Sequence, residues 1–308
     1  MTLSILYRGA LSSCNYGCGY CPFAKHHESD EEHAHDARQL ERFLSWCERR
    51  ASPLRVFFTP WGEALTQRRY QDALVRLSRL GHVEKVAIQT NLSARLDFLA
   101  QSEPSKLGVW ATYHPEWTTE ARFLAQCERL LECGVSFSVG VVGFPRFREA
   151  LDSLRAKLPP HVYVWVNAVK SSDAGYQPED LAHFTAVDPL FPVNQVRHPS
   201  LGRACAGGHS VISVDGEGVV RSCHFIRAPL GNLYDERFDE VLKPRPCAAA
   251  TCGCHIGSAH LEHLKLGEVF GDGILERNPL GPRAHVAFSA PRPAVRGEAN
   301  VTPTPEPS

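Results

Sequence analysis

The sequence predicts an α/β fold: a partial (β/α)6 barrel of the TIM type, followed by a small cysteine-rich α+β module. Apolar runs of strand length alternate with amphipathic helical patterns as far as Asp188, which favours a parallel sheet. Six such units are present, too few for a closed eight-fold barrel. After Asp188 the alternation ends and Cys, Gly and His become frequent, which indicates the second module. A doubly wound open sheet is the alternative that this pattern leaves open.

Strands are predicted where the apolar runs occur, at residues 4–9, 54–60, 85–91, 108–113, 137–143 and 162–169. Helices are predicted between them, at residues 36–50, 66–80, 93–101, 118–133, 146–157 and 178–184. We expect the barrel to span residues 1–194 and the module 195–285, with a proline-rich disordered tail at 286–308. The loops that follow parallel strands gather at one rim, where a functional site is expected.

Charge and hydropathy exclude several classes of function. The 308 residues are 43% hydrophobic and carry a formal net charge of -1. This balance gives no electrostatic footprint for nucleic acid or for an anionic membrane surface. No apolar run approaches the length of a membrane span, and residues 1–5 lack a signal-peptide pattern, so a cytoplasmic protein is predicted.

Eleven cysteines are many for a reducing compartment, where clustered cysteines more often bind metal than form disulfides. Cys47 and Cys127 lie at the spacing of helix faces, and Cys133 precedes the glycine at a helix end. These three are predicted to be core thiols, because free cysteine behaves as a small hydrophobe. Eight cysteines remain for chemistry.

Cys14, Cys18 and Cys21 come directly after the first predicted strand. Three thiolates at the rim can bind three irons of a four-iron cluster. The fourth iron then stays open to a substrate or cofactor, as a catalytic zinc keeps an open position. The alternative is a zinc knuckle completed by His26 or His27.

The spacing Cys14-x3-Cys18-x2-Cys21, with Tyr20 before the last cysteine, resembles the signature of the radical S-adenosylmethionine (radical SAM) superfamily. In this sequence, as in the family, the motif follows the first strand of an α/β repeat. The resemblance covers about residues 1 to 260 and carries no particular substrate with it.

Three further stretches agree with this resemblance. The stretch "PWGEA" at residues 60–64 is similar to the family's Gly-Gly-Glu motif, although Trp61 stands for its first glycine and Ala64 for the usual proline. Thr90-Asn91, at the end of the third predicted strand, resembles the family's Thr-Asn step near the cluster. The glycine-containing stretch "GVVG" at residues 140–143 resembles the strand on which the family's adenine packs.

The resemblance implies a [4Fe-4S] cluster that reductively cleaves S-adenosylmethionine, giving a 5'-deoxyadenosyl radical that abstracts hydrogen from a substrate. By the same resemblance, a group of residues is expected to bind the cofactor: Tyr20, Gly62, Glu63, Thr90, Asn91, Thr112, Gly140 and Val141. Polar residues on the later strands are expected to contact substrate: Thr112, Tyr113, His114, Asn167 and Lys170. Of these, Tyr113, His114 and Asn167 are the catalytic candidates.

The second module contains Cys205 and Cys223 on either side of a predicted hairpin that turns at residues 215–218. This arrangement resembles the SPASM and twitch modules, which bind an auxiliary iron-sulfur cluster in radical SAM enzymes. Five cysteines suffice for one such cluster, so the module is predicted to be twitch-like. The predicted ligands are Cys205, Cys223, Cys252 and Cys254, with Cys247 as the competitor. A four-thiolate zinc site is the alternative.

His255, His260 and His263 suggest a third metal site by their spacing, but solvated or capping histidines are the favoured interpretation. The predicted function is hydrogen abstraction from a peptide or protein side chain, with an electron donor such as flavodoxin or ferredoxin. The alternatives are a radical SAM enzyme that acts on a small metabolite and a non-catalytic iron-sulfur electron carrier.

Overall fold

The computed structural model describes residues 1–21, 23, 26–170 and 175–281. The tail predicted at 286–308 lies outside these residues.

The predicted α/β fold is confirmed, with six parallel strands in chain order. Strands β1 to β6 span Leu3–Arg8, Leu54–Phe58, Val83–Thr90, Leu107–Thr112, Ser136–Val142 and Tyr163–Asn167. Each pairs in parallel with the next. Within the described ranges β6 pairs only with β5, so the barrel is open, as expected for six units.

Helices α1 to α8 span Asp30–Arg49, Arg68–Arg79, Glu120–Glu132, Arg148–Lys157, Pro178–Val187, Phe191–Gln195, His255–Ser258 and Leu266–Phe270. Helix α1 begins earlier than predicted because Ser29 and Glu32 form a capping box at its start. In the described part of the chain, no helix combines the length and the apolar character needed to cross a membrane.

The helix predicted at 93–101 is wrong in type and length, since only a 3-10 turn forms, at Asp97–Gln101. The Asn91 side chain accepts a hydrogen bond from Ser93 N at 3.0 Å. Leu92 has a left-handed φ of 56°. The chain therefore turns where the first helical residues were expected.

Side chains of the strands alternate between an outer core beneath the helices and an inner core inside the barrel. Cys47 and Cys127 are fully buried in the outer core, and the half-buried Cys133 packs against it. The prediction of three core thiols is therefore confirmed.

The part of the chain after α6 contains short strands, β7 to β13, at His198–Pro199, Ala204–Cys205, Val211–Asp215, Val219–Arg221, Gly231–Asn232, Arg245–Pro246 and Thr251–Cys252. β9 and β10 form the predicted hairpin, whose turn ends at Gly218 with a φ of 82°. β9 also pairs in parallel with β1, and β10 pairs with β11, so these three strands extend the barrel sheet to nine strands. The domain boundary at 195 stays a prediction.

The segment after α8 fills the amino end of the barrel. Glu276 accepts hydrogen bonds from Lys85 Nζ at 2.9 Å and Ser136 Oγ at 2.7 Å, close to the amino ends of β3 and β5. Arg277 is fully buried, with its guanidinium 4.9 Å from the Trp165 ring centroid. This end is therefore packed with side chains, and the opposite rim carries the predicted motifs.

Candidate functional site

The loop after β1 carries three cysteines at the carboxyl end of the sheet. Cys18 is buried, whereas Cys14 and Cys21 are half-buried. Burial raises the pKa of Cys14 to about 11, and the nearby Cys18 and Cys21 thiols add to this shift. Thiolates this close repel one another, and a bound metal offsets that cost.

Glu28 anchors the start of this loop. Its carboxylate accepts hydrogen bonds from Ser12 N at 2.9 Å and from Ser13 Oγ at 2.5 Å, directly before Cys14. The sequence analysis missed this role, because Glu28 lies in a charged run that is typical of a hydrated loop.

Asp36 is a second anchor that the sequence analysis missed. It is fully buried on α1 and accepts hydrogen bonds from Leu11 N at 2.9 Å, Tyr70 OH at 3.0 Å and Arg69 Nε at 2.7 Å. The available signal was its spacing, since Asp36 lies four residues before Leu40 on the apolar face of the helix. A carboxylate on such a face needs buried donors.

Gly62 lets the loop after β2 lie against the cysteine loop. A Cβ at Gly62 would be 1.8 Å from Ser13 O, a backbone atom that cannot move aside alone. Glu63 N donates to the same oxygen at 3.0 Å. The glycine of the Trp-Gly-Glu stretch is therefore required by a close backbone approach, one residue before Cys14.

Glu63, Thr90 and Asn91, predicted separately as cofactor ligands, lie together. The Glu63 carboxylate accepts hydrogen bonds from Thr90 Oγ1 at 2.7 Å and Asn91 N at 2.5 Å. Asn91 Nδ2 donates to Asn15 Oδ1 at 2.9 Å and lies 3.9 Å from Cys14 Sγ. Burial raises the pKa of Glu63 to about 7, partly offset by these donors. The Glu63 carboxyl group is thus held beside the cysteine loop, and its pKa lies close to neutral pH.

His114, just after β4, contacts the cysteine loop through Tyr20 and Cys18. Tyr20 OH is 2.8 Å from His114 Nδ1, and Cys18 Sγ is 3.5 Å from the same nitrogen. Burial lowers the pKa of His114 to about 4. Burial also raises the pKa of Tyr20, so the hydroxyl keeps its proton and can donate it to the neutral ring.

Two predicted residues do not join this group. Tyr113 packs in the outer core, with its ring 5.0 Å from that of Phe123 on α3. The Val141 side chain is also in the outer core, so only its backbone is available to a ligand inside the barrel.

The remaining predicted contacts lie on the inner face of later strands. Gly140 is covered by Trp165, whose carbonyl oxygen and indole lie 2.0 and 2.3 Å from the position of a Cβ. Thr112 pairs with Gly140 and is half-buried. Asn167 is exposed at the carboxyl end of β6.

The cysteines of the second module form a separate group that contains Cys205, Cys223, Cys247, Cys252 and Cys254. Burial raises the pKa of Cys223 to about 11, with contributions from Cys254, Cys205 and Cys247. Burial likewise raises the pKa of Cys252 to about 12, with contributions from Cys223, Cys254 and Cys247. Cys223 thus lies near each of the other four thiols, and the choice of four ligands stays a prediction.

Gly257 packs closely against two of these thiols. The position of a Cβ at Gly257 is 2.9 Å from Cys252 Sγ and 3.7 Å from Cys223 Sγ. The glycine therefore lets the start of α7 lie close against these two thiols, which are a donor type suited to iron-sulfur clusters.

Among the described residues, no three His, Cys, Asp or Glu side chains converge tightly enough to hold a single metal ion. Ligands of one ion share a single coordination sphere, whereas the thiolates of a cluster bind different irons. His26, a candidate zinc ligand, lies with its Nε2 2.7 Å from Ser12 Oγ.

His255 is buried between Trp110 and Phe270, with ring centroids 5.3 Å from each, which corrects the expectation of a solvated or capping residue. Burial lowers the pKa of the half-buried His260 to about 4. His263 is exposed.

No protein-family model and no curated protein matches the sequence. Solved structures do match in fold. The structure of anSMEcpe with bound AdoMet and the Kp18Cys peptide has a TM-score of 0.53 and 15% identity over 80% of this chain and 81% of that one. Streptococcus suis SuiB bound to S-adenosylmethionine has a TM-score of 0.52 and 14% identity over 79% and 66%. SuiB bound to its precursor peptide SuiA has a TM-score of 0.50 and 12% identity over 79% and 65%.

These neighbours are radical SAM enzymes, and they share with this chain the open parallel sheet surrounded by helices. The cysteine motif and the fold therefore agree, and the chain has the fold of the radical SAM enzymes that its sequence resembles.

Proposed function

We propose that this protein is a radical SAM enzyme that generates a 5'-deoxyadenosyl radical and abstracts hydrogen from a peptide or protein side chain. The observation that carries the proposal is the chain of contacts from Glu63 through Asn91 to Cys14. It joins residues from three separate strand ends at one rim, as the resemblance implies.

Cys14, Cys18 and Cys21 would hold the first cluster. When bound there, a [4Fe-4S] cluster supplies the electron that cleaves the sulfonium of S-adenosylmethionine. The anchors Glu28 and Asp36 would hold the half-buried loop, and with it the cysteine side chains, in place before the metal arrives.

Glu63 would bind the ammonium group of the methionyl moiety. Its pKa near 7 means that a cation beside it shifts the carboxyl to its charged form, which then makes a charge-assisted hydrogen bond. Thr90 and Asn91 orient the carboxylate for this contact. The Tyr20–His114 pair would close the other side of the cluster loop.

A peptide substrate is favoured by two observations. Two of the structural neighbours were solved with peptides, Kp18Cys and SuiA. The rim of this chain also exposes large aromatic side chains on the loops after β1, β2 and β4, namely Phe23, Trp61 and Trp117. Exposed aromatic groups around a site suit an extended partner more than a small polar metabolite.

We further propose that residues 195–285 form a twitch-like module with one auxiliary iron-sulfur cluster, held by four of the five cysteines. A flavodoxin or ferredoxin would deliver electrons to the first cluster. The position of Cys223 near the other four thiols and the close packing of Gly257 against Cys252 and Cys223 support the second cluster.

The test is anaerobic reconstitution followed by incubation with S-adenosylmethionine and reductant. The parent protein should bind close to eight irons, on the order of two four-iron clusters, and release 5'-deoxyadenosine. Cys18→Ala should abolish release, whereas Cys133→Ala, a half-buried cysteine away from the site, should not change it. Zinc alone in the protein, or release that survives Cys18→Ala, would contradict the proposal.

A further inference from the structure

Lys170 links the barrel to the cysteines of the second module. It lies just after β6, and its Nζ donates a hydrogen bond to the carbonyl oxygen of Gly253. Gly253 stands between Cys252 and Cys254, two predicted ligands of the auxiliary cluster. Lys170, which the sequence predicts to contact substrate, thus lies against the segment that carries Cys252 and Cys254.

Two further cations surround the same segment. The Arg197 Nη1 is 3.2 Å from the position of a Cβ at Gly253. Arg8, at the end of β1, is close enough to Cys254 and Cys223 for these thiols to raise its pKa, although burial lowers it to about 10. Three positive side chains from different parts of the chain therefore converge on the cysteines.

Of the three cations, we expect Lys170 to have the largest electrostatic effect on the cysteines. It is half-buried, so water screens its charge less than that of the exposed Arg197. In the described part of the chain it forms no ion pair with a carboxylate. Its hydrogen bond to the Gly253 carbonyl oxygen places its ammonium group beside the segment that carries Cys252 and Cys254. Arg8 is a weaker candidate for the cationic partner of the cysteines, because its guanidinium donates to Thr59 O and stacks on Trp61 in the loop after β2.

We infer that Lys170 raises the reduction potential of the auxiliary cluster, acting as its principal cationic partner. This inference rests on the proposed function, because it requires the auxiliary cluster. Reduction adds one electron and hence one negative charge to the cluster, and a nearby unscreened cation stabilises the reduced form more than the oxidised form. A cluster with a higher potential accepts an electron more readily, so Lys170 would set the module's capacity as an acceptor.

The experiment isolates the auxiliary cluster by using the full chain with Cys14, Cys18 and Cys21 all changed to Ala. This protein is reconstituted anaerobically at pH 7, iron is counted, and the cluster is titrated with dithionite while its electron paramagnetic resonance signal is followed. Lys170→Met removes the charge and Lys170→Arg keeps it. Lys157→Met is the matched control, because Lys157 lies on α4 and pairs with Glu120.

Lys170→Met should lower the midpoint potential so that the ratio of reduced to oxidised cluster at a fixed potential falls about tenfold, equivalent to about 59 mV for a one-electron couple. Lys170→Arg and Lys157→Met should stay close to the parent. If Lys170→Met loses its iron, Lys170→Gln, which keeps a donor for the Gly253 carbonyl, is measured in its place with the same expectation.

An iron-loaded protein whose potential is the same in the charge-removing and charge-keeping variants would overturn the role of Lys170 and leave the auxiliary cluster intact. A triple-alanine protein that takes up no iron would overturn the auxiliary cluster itself, and the inference with it.

Discussion

The two groups of cysteines are built in different ways. The three on the loop after β1 are anchored by the chain's own hydrogen bonds, through Glu28, Asp36 and the close approach at Gly62. Four of the five in the second module lie on or beside two-residue ladders, β8 with β12 and β7 with β13, and the fifth, Cys223, follows β10. Cationic side chains rather than buried carboxylates surround the second group.

This difference indicates which parts of the molecule depend on metal. Buried hydrogen bonds position the first loop before any cluster binds, so that loop needs metal for chemistry more than for folding. Two-residue ladders contribute little stability on their own, so under the proposed function we expect thiolate-metal bonds to hold the segments of the second group together. The four predictions that follow test this contrast.

The largest effect is expected for Gly62→Ala, which disrupts the close backbone contact between the loop after β2 and the cysteine loop. The new Cβ would meet Ser13 O at 1.8 Å and displace the backbone beside Cys14. Release of 5'-deoxyadenosine should fall at least about tenfold, as expected when a small misplacement disturbs a reacting geometry, and total iron should fall toward half. Gly81→Ala is the control, since nothing lies within 4 Å of its Cβ position. Parent-level iron and release in Gly62→Ala would show that the close approach is not needed.

Removing metal from the second group should damage folding more than cleavage. In the double variant Cys205→Ala, Cys223→Ala, iron should fall by roughly half and the chain beyond about residue 195 should become protease-sensitive, because metal binding supplies folding free energy there. Cleavage of S-adenosylmethionine should persist at a reduced rate, since the first loop has its own anchors. Unchanged iron and unchanged protease resistance would refute the assignment of these two cysteines.

Glu63→Gln tests whether Glu63 controls the pH dependence of S-adenosylmethionine binding at the first site. The folded pKa of about 7 lies above the usual 4.5, so the stability contributed by the protonated carboxyl is present below about pH 4.5 and is lost as the pH rises through about 7. Binding of an ammonium group needs the ionised form. Affinity for S-adenosylmethionine should therefore rise about tenfold from about pH 6 to about pH 8 in the parent, following the ionised fraction.

The Glu63→Gln variant should bind more weakly, by about tenfold or more for a lost charge-assisted hydrogen bond, and its affinity should not change over this pH range. Glu236→Gln, an exposed residue, should keep the parent profile. Equilibrium dialysis with the reconstituted enzyme measures both quantities, and a variant that retains the full pH dependence would exclude Glu63 as the titrating group.

The smallest effect is expected at the direct link between the two regions. His224, next to Cys223, bonds Thr59 Oγ1 through Nε2 at 2.8 Å and Ser213 Oγ through Nδ1. His224→Leu leaves both hydroxyls without this partner and should lower the free energy of unfolding by about 1–3 kcal/mol. Denaturant unfolding measures this, with the exposed His161→Gln as control. A loss no larger than in the control would mean that the two regions are not coupled through this histidine.

The strand positions were predicted well because a buried strand leaves a local pattern in the sequence. The apolar residues alternate when one face is buried and form a continuous run when both faces are buried. The bounds of β1, β2 and β4 each lie within a few residues of the prediction. The helix at 93–101 failed because a single left-handed residue, Leu92, and the Asn91 turn override an acceptable helical pattern.

The site was predicted in part. Motif spacing located Cys14, Glu63 and Asn91, and the contacts among them agree with a common rim. Tyr113 was placed with them because it ends a strand, but the period of two turns its side chain to the outer core. Spacing alone does not say which face of a strand end points inward.

Local sequence patterns were enough to predict the repeated strand-helix order, the core cysteines such as Cys127 and the three-cysteine loop, because each depends on neighbours a few residues away along the chain. Three contacts became evident only in the folded chain: Asp36 anchors Leu11, Trp165 covers Gly140 and Lys170 contacts Gly253. Those pairs meet through the register of parallel strands and the paths of long loops. Both are set by the packing of the whole sheet rather than by any local stretch of sequence.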